Sequence, residues 1–127
     1  MRYDVSTTKN ASQAANDLQA VAKLHGFGTL HVYNLKEILT SKGFPQTKEC
    51  IILEVCNPAQ ANRVLGHNFS LNVALPCRIS VYEEGGRVMI GMIRPGAMLR
   101  MLSNRRELKV IAEEVEATMI KMIDAAK

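Results

Sequence analysis

Two short corners hold the residues best suited to chemistry. Cys56-Asn57-Pro58 ends one apolar run, and Leu75-Pro76-Cys77 opens another, with twenty residues between the cysteines. Asn57 can cap a helix and Pro58 can begin it, because proline at the first helical position gives up an N–H that has no partner there. A sulfur at position 56 can then lie near unpaired N–H groups and the positive end of the helix dipole, which lowers a thiol pKa and favours a thiolate. The same residue also reads as a small hydrophobe closing a strand, since free cysteine is often buried. Cys77 carries both readings, and its alternation with Ile79 and Val81 leans toward the core. Cys50 reads as structural.

The other candidates are thinner. Neither cysteine belongs to a C-x-x-C pair, and His67 is a lone third donor, so the ligand count argues against a metal site. His25, His31 and His67 are scattered, with no Ser, Cys and Asp arranged around them. His25 reads as a charge partner at a helix end, and His31 falls on the polar side of a strand. Tyr82 and Glu83, with Glu84, could supply an acid or base, although adjacent carboxylates at a hairpin tip are usually solvated turn residues. Arg94, Arg100, Arg105 and Arg106 fall within thirteen residues with no acid among them. They could hold an anion, or they could line a solvated loop before a helix.

Composition narrows the classes. A chain of 127 residues, 47% hydrophobic and 22% charged, has the balance of one globular domain with a real core. The net charge of +4 is spread evenly, with seven basic and five acidic residues up to position 63 and nine and seven beyond it. Nucleic-acid binding usually needs a concentrated basic stripe with stacking aromatics, whereas here aromatics are 5% and tryptophan is absent. No apolar run approaches the ~20 residues that span a bilayer, and the first residues lack the apolar segment of a signal peptide. The expectation is a cytoplasmic protein with no membrane contact. Its three cysteines are expected to stay reduced, since an odd number in that compartment argues against a disulfide framework.

The elements that must position the two corners follow from periodicity. Arg2 to Ser6 reads as a strand, and Thr7 or Thr8 as the cap of a helix carrying Ala14, Ala15, Leu18, Val21 and Ala22 until Gly26. Gly28 to Tyr33 alternates as a half-buried strand, with Leu30 and Val32 on one face. Asn34 and Glu37 have capping-box spacing for a short helix closed by Gly43. Cys50 to Val55 suits a central strand covered on both faces or nearly so. A helix from Pro58 to Gly66, a hairpin turning at Glu83 to Gly86, and a long helix capped by Asn104 complete the chain. Leu108, Ile111, Val115, Met119, Met122 and Ile123 give that last helix one apolar stripe. A hairpin plus two long helices predicts a two-layer α+β fold, with a mainly antiparallel sheet of about five strands. A doubly wound parallel sheet fails on its phosphate signature, because position 31 is His and the Gly26-Phe27-Gly28 pair precedes its strand.

With those residues assembled, the chain resembles the bacterial and archaeal Domain of Unknown Function 302 family. The resemblance rests on Cys56-Asn57-Pro58, Ala61 and Leu65, Leu75-Pro76-Cys77, Val81-Tyr82-Glu83 and Gly86, and it extends more loosely through both flanks. It implies a single two-layer α+β domain over residues 1–127, a curved antiparallel sheet packed by long helices, and frequent dimers. It implies no activity. Glu54-Val55 departs from the small residues common before the Cys-Asn-Pro corner.

Three classes of function remain. A non-catalytic small-ligand or sensor module ranks first, with Cys56, Asn57, Pro58, Cys77, Tyr82 and Glu83 as candidate site residues, because no acid, base and nucleophile assemble along the chain. A thiol-based redox protein or enzyme using Cys56 ranks second, and a structural or partner-docking protein third. The sequence names no cofactor. Six of the seven methionines lie between 89 and 122, and this apolar C-terminal half predicts a homodimer. The two cysteine corners are expected to meet in space.

Overall fold

The computed structural model describes residues 1–127. Along the chain run β1 (Arg2–Thr7), α1 (Ala11–Leu24), β2 (Gly28–Asn34), α2 (Leu35–Ser41), β3 (Cys50–Cys56) and α3 (Pro58–His67). A 3-10 segment (Phe69–Ala74), β4 (Cys77–Glu84), β5 (Arg87–Ile93), α4 (Pro95–Leu102) and α5 (Arg106–Ala126) follow. The five strands form one open sheet in the order β1-β5-β4-β3-β2, and every pairing is antiparallel. The fold is α+β, as expected, and the parallel alternative is gone.

Period-2 alternation builds the inner face of the sheet. Ile51, Leu53 and Val55 of β3, Ile79 and Val81 of β4, and Ile90 and Met92 of β5 join the buried faces of α1 and α5 in one core of 22 residues. α1 contributes Ala11, Ala14, Ala15, Leu18 and Ala22 at helical spacing, and α5 contributes Leu108, Ile111, Val115, Met119, Met122 and Ile123. Each fully buried leucine or isoleucine adds roughly 1.5–3 kcal/mol of transfer free energy. A single lost cap or surface ion pair is worth less than that, so this stripe fixes where the helices lie.

Local chemistry sets most element ends. α1 stops in a Schellman motif, where the N–H groups of Phe27 and Gly26 reach the carbonyls of Ala22 and Lys23 at 2.9 and 3.2 Å. Gly26 takes the positive φ of 81° that this motif needs. Gly85 and Gly86 both have positive φ in the two-residue β4–β5 turn, as a type I′ hairpin requires.

Four expectations change. Asn10, not Thr7 or Thr8, caps α1, its side chain accepting from the Gln13 N–H at 2.8 Å. β3 is an interior strand but not the central one, and among its outer-face residues only Ile52 is buried. β2 is an edge strand with a bulge between Thr29 and His31, and the bulge turns Leu30 out to 56% exposure. Finally, Pro95–Leu102 is a helix instead of a loop, and α5 starts after Arg105 without any side-chain cap from Asn104.

Candidate functional site

β3 ends and β4 begins at the same end of the sheet, and α3 starts there. Asn57 caps α3 by accepting from the Gln60 N–H at 3.1 Å, and Pro58 takes the first helical turn. The side-chain amide of Asn57 lies against Gly26, where an added Cβ would come within 3.2 Å of Nδ2. Val55 and Cys77 face one another in the β3–β4 register, while Cys56 pairs with Gly28 on the other side. The Leu75–Pro76 peptide is cis.

Cys56, Asn57, Leu75, Pro76 and Cys77 line one pocket of about 40 Å³. The two corners therefore come together, as their places at strand ends suggested. α3 and α5 supply Ala61, Val64, Ile111, Ala112 and Val115, and α4 supplies Pro95, Met98 and Leu99. Thirteen of the seventeen lining residues are hydrophobic, and none is an acid, a base, an imidazole or a hydroxyl. The only polar side chains are Asn57, Gln60 and the two thiols. Gln60 is engaged elsewhere, donating to Glu114 at 3.3 Å and accepting from Arg63 at 2.7 Å. That leaves the thiols and the Asn57 amide for a guest.

Burial pushes the Cys77 thiol up from 9.0 to about 11, and the nearby Cys56 adds to the effect. The shift follows from loss of hydration, which disfavours the charged thiolate. At neutral pH Cys77 is a thiol. Cys50 sits apart, its sulfur 4.0 Å from the Ser80 hydroxyl.

The remaining candidates lie elsewhere. Pro58 does not line the pocket. Tyr82 is on the outer sheet face, where its hydroxyl accepts from Arg2 at 3.1 Å and donates to Asp4 at 3.4 Å. Burial is the first cause of its raised pKa, and Asp4 the second. Glu83 stands near the opposite end of β4, where its carboxylate accepts from the Glu49 N–H at 3.0 Å. Of the four arginines, Arg94 is committed to structure: it pairs with Glu116 at 3.8 Å, donates to the Arg2 carbonyl at 3.1 Å and lies 5.5 Å from the Tyr3 ring centroid. Arg100, Arg105 and Arg106 are exposed and make no ion pair. His25 donates from Nδ1 to the Val21 carbonyl at 2.9 Å, and His31 stacks on Tyr33 with ring centroids 5.5 Å apart. No three His, Cys, Asp or Glu side chains converge as metal ligands would.

The chain as a whole has a counterpart among known proteins. The family described as "Domain of unknown function DUF302" matches residues 3–126. The chain belongs to the DUF302 family. It is also similar to the uncharacterized conserved DUF302 protein from Bacillus stearothermophilus, known from a crystal structure, with 34% identity and a TM-score of 0.94. That match covers 99% of this chain and 98% of the other. No curated protein matches. No helix in the DUF302 chain described here is long and apolar enough to cross a membrane.

The α4 wall of the pocket was the part that sequence reasoning missed. Pro95 was its one local signal, as a residue favoured at the first helical position. Ile111 and Val115 were legible in the α5 stripe, although their contact with the cysteine corner was not.

Proposed function

We propose that this DUF302 protein is a non-catalytic module that holds a small, largely apolar ligand, or the apolar end of a longer one, at Cys56 and Cys77. The observation that carries this reading is the lining: two thiols and two amides, one of them engaged elsewhere, in an otherwise hydrocarbon pocket with no carboxylate, imidazole, amine or hydroxyl. A single water needs about 10–15 Å³ on this measure. The pocket therefore admits about three or four water-sized groups and excludes a bulky metabolite. The thiols supply polarizable contacts, and Asn57 supplies one directional hydrogen-bonding group at the rim.

Xenon, a spherical apolar probe, tests this directly. Under xenon pressure the methyl resonances of Val55, Val64 and Leu99 should shift saturably, and the Cys77→Ser variant should bind more weakly. Unmoved methyls would reject the site.

The alternative is a thiol-based redox protein or enzyme using Cys56; Cys77 is poorly suited to that role, because the thiolate is the nucleophile and burial pushes its thiol up to about 11. We also infer a homodimer, from exposed Leu30 and Val32 on edge strand β2 and Met101 and Leu102 at the end of α4. A strictly monomeric mass by light scattering at micromolar concentration would reject it.

A further inference from the structure

The β4–β5 ladder runs from Glu84 paired with Arg87 to Ser80 paired with Gly91, and there it stops. β4 stays paired with β3 as far as Cys77, and β5 stays paired with β1 as far as Ile93. The sheet therefore forks. Two residues further the register would set Arg78 opposite Ile93, and that pairing is not made. A cleft of about 720 Å³ occupies the fork, lined by both residues and reaching Met98 and Met119 on the helix side. This size lies within the ~300–1,000 Å³ of small-molecule sites.

The gap holds main-chain groups without a strand partner. The Glu83 N–H donates to the Glu49 carbonyl, toward β3, so alternation turns the main chain of Arg78 toward β5. On the other prong the Arg94 N–H donates to the Met1 carbonyl, toward β1, so the main chain of Ile93 turns toward β4. Both sets of groups face the cleft.

The cleft is lined by two cations, Arg2 and Arg78, and one carboxylate, Glu54. Arg78 is exposed and has no ion-pair partner. Its register partner Glu54 instead accepts from the Tyr33 hydroxyl at 2.6 Å. Arg2 also lines the mouth, held by Asp4 at 2.9 Å. Inside, Met92, Met98 and Met119 offer flexible thioether walls that adapt to differently shaped hydrocarbon.

We propose that this fork binds an amphipathic organic carboxylate, its head on the Arg78 guanidinium and the free main-chain groups, its aliphatic or aromatic body among the methionines. Guanidinium suits such a head because it offers parallel N–H donors to both carboxylate oxygens. The site adjoins the cysteine pocket and shares the Ala74–Cys77 turn, Pro95 and Met98 with it as a common wall.

The probe is decanoate below its micellar concentration, titrated into protein carrying labelled methionine methyls. Saturable shifts are expected at Met92 and Met119, which line the fork and not the cysteine pocket, with affinity falling as salt rises. Arg78→Gln should weaken binding about tenfold, whereas Arg87→Gln, beside the hairpin turn, should leave it unchanged. Absence of saturation, equal binding of decanol, or an Arg78→Gln protein that binds decanoate as well as the parent would each overturn the proposal. Should that variant misfold, the salt dependence and the decanol comparison on the unmodified chain decide alone. Xenon binding at Val64 is read separately, so failure at either site leaves the other result intact.

Discussion

Val55 and Cys77 are direct partners across the β3–β4 ladder, which packs the Cys77 sulfur against the core at the pocket wall. Its thiol ionises near pH 11 in the folded protein, against 9.0 ordinarily. The folded state thus holds a proton that the unfolded chain gives up first. This contribution to stability is complete below about pH 9 and disappears as pH rises to about 11. Comparing urea midpoints of wild type and Cys77→Ser across that window should show an extra loss on the order of 2 kcal/mol in the wild type. Equal slopes would refute the buried thiol. Alkylation of native Cys77 at pH 7 should likewise be far slower than that of a free cysteine.

Asn57 satisfies an orphan donor at the start of α3 and borders the pocket. Asn57→Ala should cost about 1 kcal/mol in thermal or urea unfolding, and Asn57→Asp should recover most of it through the same cap. An Asn57→Ala protein as stable as wild type would mean that Pro58 and packing alone start the helix.

Gly91 lies beneath the Asp4 carboxylate, so closely that a Cβ there would collide with Oδ1. Asp4 can swing away only by leaving Arg2 and Tyr82. Gly91→Ala should therefore destabilise by about 1 kcal/mol, the scale of a partly exposed polar network. In an Asp4→Ala background the same change should be neutral or stabilising, since alanine has less backbone entropy to lose in a strand. A double-mutant cycle reads the coupling, and additivity of the two changes would exclude the steric explanation.

Glu116 of α5 accepts from the Gly96 N–H at 3.1 Å and pairs with Arg94, so it caps α4 from another element. Glu116→Ala should destabilise by about 1–2 kcal/mol and raise hydrogen exchange in Pro95–Leu102. Arg100→Ala and Arg106→Ala should change stability by less than about 0.5 kcal/mol, because nothing in the fold engages them.

These contrasts explain what could be read in the chain. The Asn57-Pro58 start, the Gly26 stop and the α5 stripe were legible because each depends on groups within a few residues of one another. α4 was invisible because its capping carboxylate is twenty residues away on another helix. The outward turn of Leu30 was hidden for a similar reason: period-2 reading has no sign of a bulge that arises only when β2 pairs with β3. For the site, two corners at strand ends foretold their meeting. The raised Cys77 pKa depends on walls from α3, α4 and α5, which no short motif describes.

The strand order also decides when the protein can become itself. β1 touches only β5 within the sheet, so Arg2–Thr7 finds its partners at Val88–Ile93, more than eighty residues later. On a ribosome the first strand emerges long before anything exists to receive it, and α1 waits with its apolar side bare. The β4–β5 hairpin closes locally, and α5, made last, covers what came before. Synthesis and assembly thus run in nearly opposite directions, with high contact order slowing the final closure. A chain interrupted before Ile93 lacks the partner for its own beginning.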